Sequence, residues 1–383
     1  VTPVPLTVAA GGALPLPWLA APLAEALAGQ RGHALLVHGS EGVGALHFAL
    51  ALAQAGLCEA PQPPPGGAAT ARTDGPPRWP CGRCGSCRLV QGRLHPDLLV
   101  LMPEERRRRH EWPWSGDRSD GADEKKKPSR QIRIDEVRAV IDWAFKTSAR
   151  GRGKQVVLHP AESLNVQSAN ALLKTLEEPP PGTRLLLVTA DPALLLPTVR
   201  SRCQHLHLPA PAAAVAWPWL VAQGLGTPQA PEPAQALLAA CSGRPLDALA
   251  LSAAGVDAAA WARLPAAVAH GETAALAGWP VPMVLDAMLK LCHDALARQV
   301  GAAPRFFPAA SLPAVGGPAR TAALWAWRQA LARIARHDEH PWNEPLLLDS
   351  VLAAGREAFA TGRGGTAAGA RPTAPGAVTT LRA

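Results

Sequence analysis

The chain has 383 residues, 48% of them hydrophobic, and a formal net charge of +8. That length supports two or three domains with separate cores. No stretch reaches the ~18 uninterrupted apolar residues of a membrane span, because Pro, Gly and charged residues break every run. The N-terminus is apolar and Pro-rich but lacks the basic n-region of a secretory signal, so a soluble, cytoplasmic protein is expected. Three of the seven cysteines stand close together as Cys81, Cys84 and Cys87, which suits metal binding in a reducing compartment better than a disulfide framework. The basic excess fits an association with nucleic acid but does not by itself require one.

In chain order, residues 34–38 form a short apolar run that stops at Gly39, and residues 45–55 are apolar enough for a buried helix. Between strand and helix lies Gly39-Ser40-Glu41-Gly42-Val43-Gly44-Ala45-Leu46, which keeps both end glycines of the phosphate-binding pattern GxxxxGK[ST]. Ala45 and Leu46 stand where a working loop carries a Lys for the phosphates and a hydroxyl for magnesium. Taken alone, a Gly-rich strand-to-helix turn carries little weight.

Cys81-Gly82-Arg83-Cys84-Gly85-Ser86-Cys87 supplies three thiols at C-x2-C-x2-C spacing, with glycines that permit tight wrapping around one ion. A third thiol is superfluous for a redox dithiol, so a closed, structural Zn²⁺ site is expected, and it needs a fourth ligand. The preceding residues 61–80 are rich in Pro and Gly and resemble an inserted loop. Residues 102–131 carry Arg106 to Arg109, then Asp117, Asp120, Asp123 and Glu124, then Lys125 to Lys127. Such mixed charge predicts a solvated loop, although Trp112 and Trp114 beside basic residues are also compatible with stacking on bases.

Ile134, Val137, Val140, Ile141, Ala144 and Phe145 recur at helical spacing and are expected to pack on a sheet. Residues 155–158 and 184–189 read as buried strands, with a helix over 166–176 capped by Asn165 between them and a short strand ending at Leu208 after them. Strands alternating with helices imply a parallel sheet covered on both faces. Cys203, Cys241 and Cys292 are scattered and are expected to be buried thiols. After Pro209 the chain is Ala-rich and helical, with longer helices over 284–299, 321–335 and 345–359; Trp325, Leu331 and Ile334 are expected in a core.

Two segments make a resemblance specific. Asn170-Ala171-Leu172-Leu173-Lys174-Thr175-Leu176-Glu177-Glu178-Pro179 resembles the signature segment of bacterial clamp-loader AAA+ subunits, and Ser201-Arg202-Cys203 matches their SRC motif. His33-Ala34-Leu35-Leu36, Thr189-Ala190-Asp191-Pro192 at the sensor 1 position, and the weaker Pro341-Trp342-Asn343 are similar to the same family; the motif-bearing part runs from about Trp18 to Leu208. Members that hydrolyse ATP end the strand before the signature helix in Asp-Glu, where this chain has His159-Pro160. The loss of that acidic pair together with the loop Lys places the resemblance with the delta-prime type.

The resemblance implies an α/β AAA+ P-loop parallel sheet domain over 1–208, with a zinc module at 58–95 and the charged insertion at 102–131. A helical lid over 209–265, an all-α collar over 266–360 and a disordered tail over 361–383 would follow. It implies that Arg202 is an arginine finger acting in trans, with pairing to a local acid as the structural alternative. Gly39, Gly42 and Gly44 would form a degenerate loop with no hydrolysis, and Thr189 would be an ordinary strand-end hydroxyl. In Cys241-Ser242-Gly243-Arg244-Pro245-Leu246-Asp247-Ala248-Leu249, similar to sensor 2, the expected Arg falls on Leu246, and the role does not transfer to Arg244. For zinc, the family's pattern makes Cys58 the fourth ligand beside Cys81, Cys84 and Cys87, with His95 as the alternative. Implied partners are the gamma/tau and delta subunits of the DNA polymerase III holoenzyme, transiently the sliding clamp, primed DNA through the assembled complex, and no membrane; polymerase activity would belong to the holoenzyme. The competing functions are an active gamma/tau-like ATPase and a zinc-dependent DNA-binding module.

Overall fold

A computed structural model of the chain describes residues 3–29, 32–65, 78–113, 128–314, 316–336 and 343–360. Trp114, the acidic patch Asp117 to Glu124, Lys125 to Lys127, Pro341-Trp342 and the segment from 361 lie outside these residues, as does 66–77 of the Pro/Gly-rich insertion. The chain divides into two compact units, Val1–Trp261 with Arg305–Phe307, and Ala262–Pro304 with Pro308–Ala383.

The first unit is built on five strands, β1 (Ala34–His38), β2 (Leu98–Leu101), β3 (Lys154–Leu158), β4 (Thr183–Thr189) and β5 (Gln204–His207). They form one sheet in the order β2-β3-β4-β1-β5, and every pairing is parallel. Parallel strands buried on both faces need near-continuous apolar runs, which LLVL of β2 and the ALLV of β1 supply. Leu36, Leu101, Leu158 and Leu187 share one core with Val137, Val140, Leu172 and Leu176 from α5 (Ile134–Phe145) and α6 (Val166–Glu177). Each such Leu withdrawn from water contributes about 1.5–3 kcal/mol. The helix that follows the Gly-rich turn is α2 (Ala45–Leu57), buried along almost its whole length. As expected, α6 begins at Asn165, whose Oδ1 accepts the Ser168 N–H at 2.8 Å. Ser168 then donates its hydroxyl to the Ile132 carbonyl, fixing the helix to the strand side of the unit.

Expectations for the charged insertion and for the end of α5 need correction. The charged segment is not all loop: Glu104–His110 forms α4, in which Arg107 is buried and paired with Glu136. Acidic Glu104 and Glu105 in its first turn and basic residues in its last complement the helix dipole, a local signal that outweighs the mixed-charge composition. Trp112 is buried with Arg93 over its ring, so it is not available to stack on bases. Phe145, the last residue of α5, is exposed, while Ala144 before it is buried.

Strand β2 was not among the expected strands; four residues are too few to establish a period. It is anchored by Asp97, which is buried and accepts the Ala149 and Arg150 N–H groups at 2.7 and 2.8 Å and the Ser148 hydroxyl at 3.0 Å. Substituting Asp97→Ala strands those donors and is expected to lower stability by about 2–4 kcal/mol. The effect is read as a lower urea midpoint at unchanged slope.

Beyond β5, α8 (Ala213–Ala222), α9 (Glu232–Ala240) and α10 (Pro245–Ala253) complete the first unit. The expected lid, 209–265, belongs to this unit as far as Trp261. In the second unit, α12 (Val281–Gln299), α13 (Pro318–Ala335) and α14 (Glu344–Phe359) are the three long helices. Leu331 is buried here, but Trp325 is exposed with Arg328 against its ring; the core position is taken by Trp327, whose Nε1 donates to the Val351 carbonyl. Trp325 and Trp327 lie two residues apart and so face different sides of one helix. Cys203, Cys241 and Cys292 are buried, as expected. No helix among the described residues is long and apolar enough to cross a membrane.

Candidate functional site

In an open parallel sheet, ligands bind outside the carboxyl ends of the strands. A cavity of about 190 Å³ lies there, lined by residues that follow β1, β3 and β4 together with parts of α4 and α10. The Gly-rich turn forms one wall, and Ala45 and Leu46 face the cavity where phosphate chemistry needs an ammonium and a hydroxyl. His159 and Pro160 line it from the end of β3. Thr189 is buried at the end of β4 and gives its hydroxyl to the Asp191 carbonyl at 3.1 Å, the behaviour of a strand-end hydroxyl.

Helix α10 closes on the turn directly. The Leu246 N–H donates to the Gly42 carbonyl at 3.1 Å, and Arg244 holds the Asp247 carboxylate at 2.5 Å. Gly42 has φ +84°, and a Cβ there would lie 2.4 Å from Asp247 Cγ, so only glycine lets the carboxylate approach this closely. Arg244 thus acts as the clamp on Asp247, a use that its spacing in the sequence does not reveal.

Three histidines share the cavity: His47 from α2, His110 from α4 and His159. Burial, reinforced by the neighbouring His110, pushes His47 down to about 4. Burial lowers His110 to about 4, assisted by Arg109, Arg106 and Arg93, and lowers His159 to about 3, assisted by Arg106, His110 and His47. All three are therefore neutral near pH 7, each with one N–H and one bare nitrogen. Periodicity marks His47 only as a position inside a buried helix, and nothing in the sequence joins it to residues 110 and 159.

Arg202 stands at the other end of the signature segment's contacts. Its guanidinium pairs with Glu177 at the end of α6 and donates to the Thr198 carbonyl at 2.9 Å, with its side chain about one third exposed (34%). Pairing with a local acid was the structural alternative for this residue, and in the isolated chain that pairing is present. His33 also reaches the segment, bonding the Leu176 carbonyl at 2.8 Å.

Geometry brings a fourth cysteine to the three that stand close together in the sequence. Cys58, at the end of α2, joins Cys81, Cys84 and Cys87, with all four sulfurs within 4.8 Å of one another. Sulfurs bound tetrahedrally at about 2.3 Å from a Zn²⁺ would sit about 3.8 Å apart. The Cys58–Cys81, Cys58–Cys84 and Cys81–Cys87 separations are 3.6, 3.9 and 4.0 Å, so the donor set fits a four-coordinate metal. Backbone N–H groups of Cys81, Cys84 and Cys87 point at cluster sulfurs at 3.3–3.4 Å, which favours thiolate charge. Burial raises Cys58 and Cys87; at Cys84 burial also pushes upward, but N–H donation from Cys87 and Glu59 outweighs it and brings the thiol to about 7.

His95 is not in the cluster. Its Nδ1 accepts the Asp97 N–H at 3.0 Å and its Nε2 meets the Ser86 hydroxyl at 3.1 Å, so both nitrogens are committed. Arg150 ties the module to the sheet by bonding Glu59 beside Cys58 and Ser86 beside Cys87. Gly82 takes φ +68° because the Ala9 carbonyl passes where a Cβ would be, and the Gly11 N–H donates to the Cys81 carbonyl.

Residues 21–212 match the family described as DNA polymerase III, delta subunit. The DNA polymerase III subunit delta' of Pseudomonas aeruginosa is 39% identical over 230 residues, 59% of this chain and 58% of that protein. The Escherichia coli subunit of the same name is 30% identical over 283 residues, 70% of this chain and 73% of the relative. The E. coli DNA polymerase III subunit tau is 31% identical over 178 residues, 46% of this chain and 22% of the longer protein. The chain thus spans under two thirds of the length of the P. aeruginosa relative. With half of its length matched by the family and the E. coli relative covered over most of its own, this chain belongs to the DNA polymerase III delta-prime subunit family.

Proposed function

We propose that this chain is a non-hydrolysing member of the DNA polymerase III clamp loader. In that role it completes the loader ring with gamma/tau and delta subunits, supplies Arg202 to the ATP site of a neighbour, and helps place the sliding clamp on primed DNA. The observation that carries the proposal is the cavity at the carboxyl ends of the strands. Ala45, Leu46, His159 and Pro160 all line it, and none offers the charge or oxygen that holds a magnesium-bound triphosphate or directs water to it. Two independent parts of the hydrolytic apparatus are replaced in one place. The Asp247 carboxylate against Gly42 further opposes a nucleotide phosphate on the turn.

Arg202 fits the finger role because a guanidinium keeps its charge and offers paired donors to phosphate oxygens. Glu177 neutralises it in the free subunit, and a neighbour's triphosphate, with more negative charge, displaces that carboxylate. Cys58, Cys81, Cys84 and Cys87 hold a structural Zn²⁺ that staples the end of α2 to the module; the closed thiolate set leaves no open position for catalysis.

The purified chain is expected to show no ATP turnover of its own, with or without DNA, and to enter a stable complex with gamma/tau and delta subunits on size exclusion. Turnover by the chain alone would return it to the gamma/tau-like ATPases. Tight DNA binding by the isolated chain, falling steeply with salt and without assembly, would instead favour the zinc-dependent DNA-binding module.

A further inference from the structure

Three imidazoles meet at the β1–β5 edge of the sheet, outside the cavity and apart from the cysteine cluster. In the β1–β5 ladder His205 pairs with Leu36 and His207 with His38. Side chains alternate along a strand, so His38, His205 and His207 share one face of the sheet. The ring centroids of His38 and His207 lie 5.1 Å apart, and those of His38 and His205 5.7 Å. His38 is half-buried, while His205 and His207 are exposed on the edge strand.

These spacings suit a shared metal ion. Imidazoles bound tetrahedrally at about 2.1 Å, each centroid about 1.2 Å beyond its nitrogen, have centroids roughly 5.4 Å apart. Lone pairs are also at hand. Among the described residues no hydrogen bond takes up a ring nitrogen of His38 or His207, and His205 commits Nε2 alone, to the Arg200 carbonyl at 3.2 Å. That contact makes Nε2 the donor and leaves a lone pair on Nδ1, the way a backbone carbonyl orients a metal-ligating histidine. Burial, then repulsion from His207 and His205, lowers the His38 pKa and keeps its imidazole neutral; no Lys or Arg among the described residues is among the charges acting on it. The four cysteine sulfurs already lie within 4.8 Å of one another, whereas the histidine set closes by rotation of the two exposed rings.

We infer that His38, His205 and His207 form a second metal site, one for a borderline divalent transition ion such as Zn²⁺, Ni²⁺ or Co²⁺. Three nitrogens and no oxygen select against Mg²⁺ and Ca²⁺, and the absence of thiolate distinguishes the set from the cysteine cluster. Three ligands leave a position open to water, so the ion exchanges and is removed by desalting. When bound, it staples edge strand β5 to β1 immediately before the Gly-rich turn at Gly39. The inference depends neither on the loader role nor on Arg202.

The test is titration of the untagged full chain, its cysteine site kept metal-loaded, with Co²⁺ followed by calorimetry and absorption. One further equivalent is expected to bind saturably and give visible bands without the near-ultraviolet sulfur-to-metal charge transfer that exchange into the cysteines would produce. His205→Gln and His207→Gln alter exposed side chains and should fold normally; His38→Gln is checked by circular dichroism. Each should weaken binding by more than roughly tenfold, which losing a ligand's supporting partner alone can cost. His270→Gln, exposed in the second unit, should bind as the unaltered chain does. No binding, binding only with the thiolate band, unchanged affinity in any of the three variants, or weakened binding in His270→Gln would each overturn the inference, leaving the loader proposal to its own tests.

Discussion

Arg202→Ala, in a loader reassembled from this chain and its partner subunits, is expected to slow ATP turnover at the site facing this subunit by ~10³-fold or more. DNA-stimulated turnover of the whole complex should fall by that site's share. The effect rests on where charge develops: a γ-phosphate leaving its nucleotide concentrates negative charge on oxygens that a planar, permanently ionised guanidinium meets with two donors at once. Arg202→Lys keeps the charge but not the fork and should recover little.

Misfolding is a poor competing account, because the Arg202–Glu177 pair is half exposed and such pairs contribute about 0–1 kcal/mol. Glu177→Gln provides the complementary arm. It removes the resting partner without touching the finger, so turnover should hold or rise while Arg202→Ala stays low. Equal turnover in the Arg202→Ala and unaltered complexes, with assembly verified for both, would remove the finger and leave this chain a structural member of the ring at most.

Cys58→Ser is expected to release the metal and destabilise the first unit by more than about 4 kcal/mol, the range in which loss of a structural metal stands apart from ordinary substitutions. Structural Zn²⁺ is worth about 10–16 kcal/mol in small zinc-finger peptides, and here α2 and the sheet would retain part of their packing without it. Metal content by elemental analysis should fall from stoichiometric to near zero in Cys58→Ser and stay unchanged in Cys292→Ser, whose thiol lies in the second unit. His95→Gln should also retain the metal, because His95 bonds Asp97 and Ser86 instead of the cluster. A chelator added to the unaltered chain should reproduce the thermal shift of Cys58→Ser. Purified protein without zinc, or full zinc content in Cys58→Ser, would refute the assignment.

Much of the architecture was written locally. The buried runs of β1, β3 and β4, the Asn165 cap and the amphipathic stripe of α5 depend on neighbours a few residues away, and so they are visible as periodicity and capping. The replacement of lysine, hydroxyl and acidic pair by Ala45, Leu46, His159 and Pro160 was equally legible, because it concerns residue types at fixed spacing. Tertiary structure decided what spacing leaves open. Cys58 rather than His95 completes the cysteine cluster, since closing a longer loop adds little entropy while His95 is drawn into bonds with Ser86 and Asp97. The same holds for Arg202 against Glu177, Asp247 against Gly42, and the histidine cavity joining residues 47, 110 and 159. These contacts span tens to hundreds of residues, and the crossover order β2-β3-β4-β1-β5 gathers the cavity residues beyond the carboxyl ends of the strands while Glu177 and Arg202 meet at the opposite end, ahead of β4 and β5. Local chemistry therefore determined the elements and the missing catalytic groups, whereas long-range packing decided which side chains face one another and hence what the remaining site can bind.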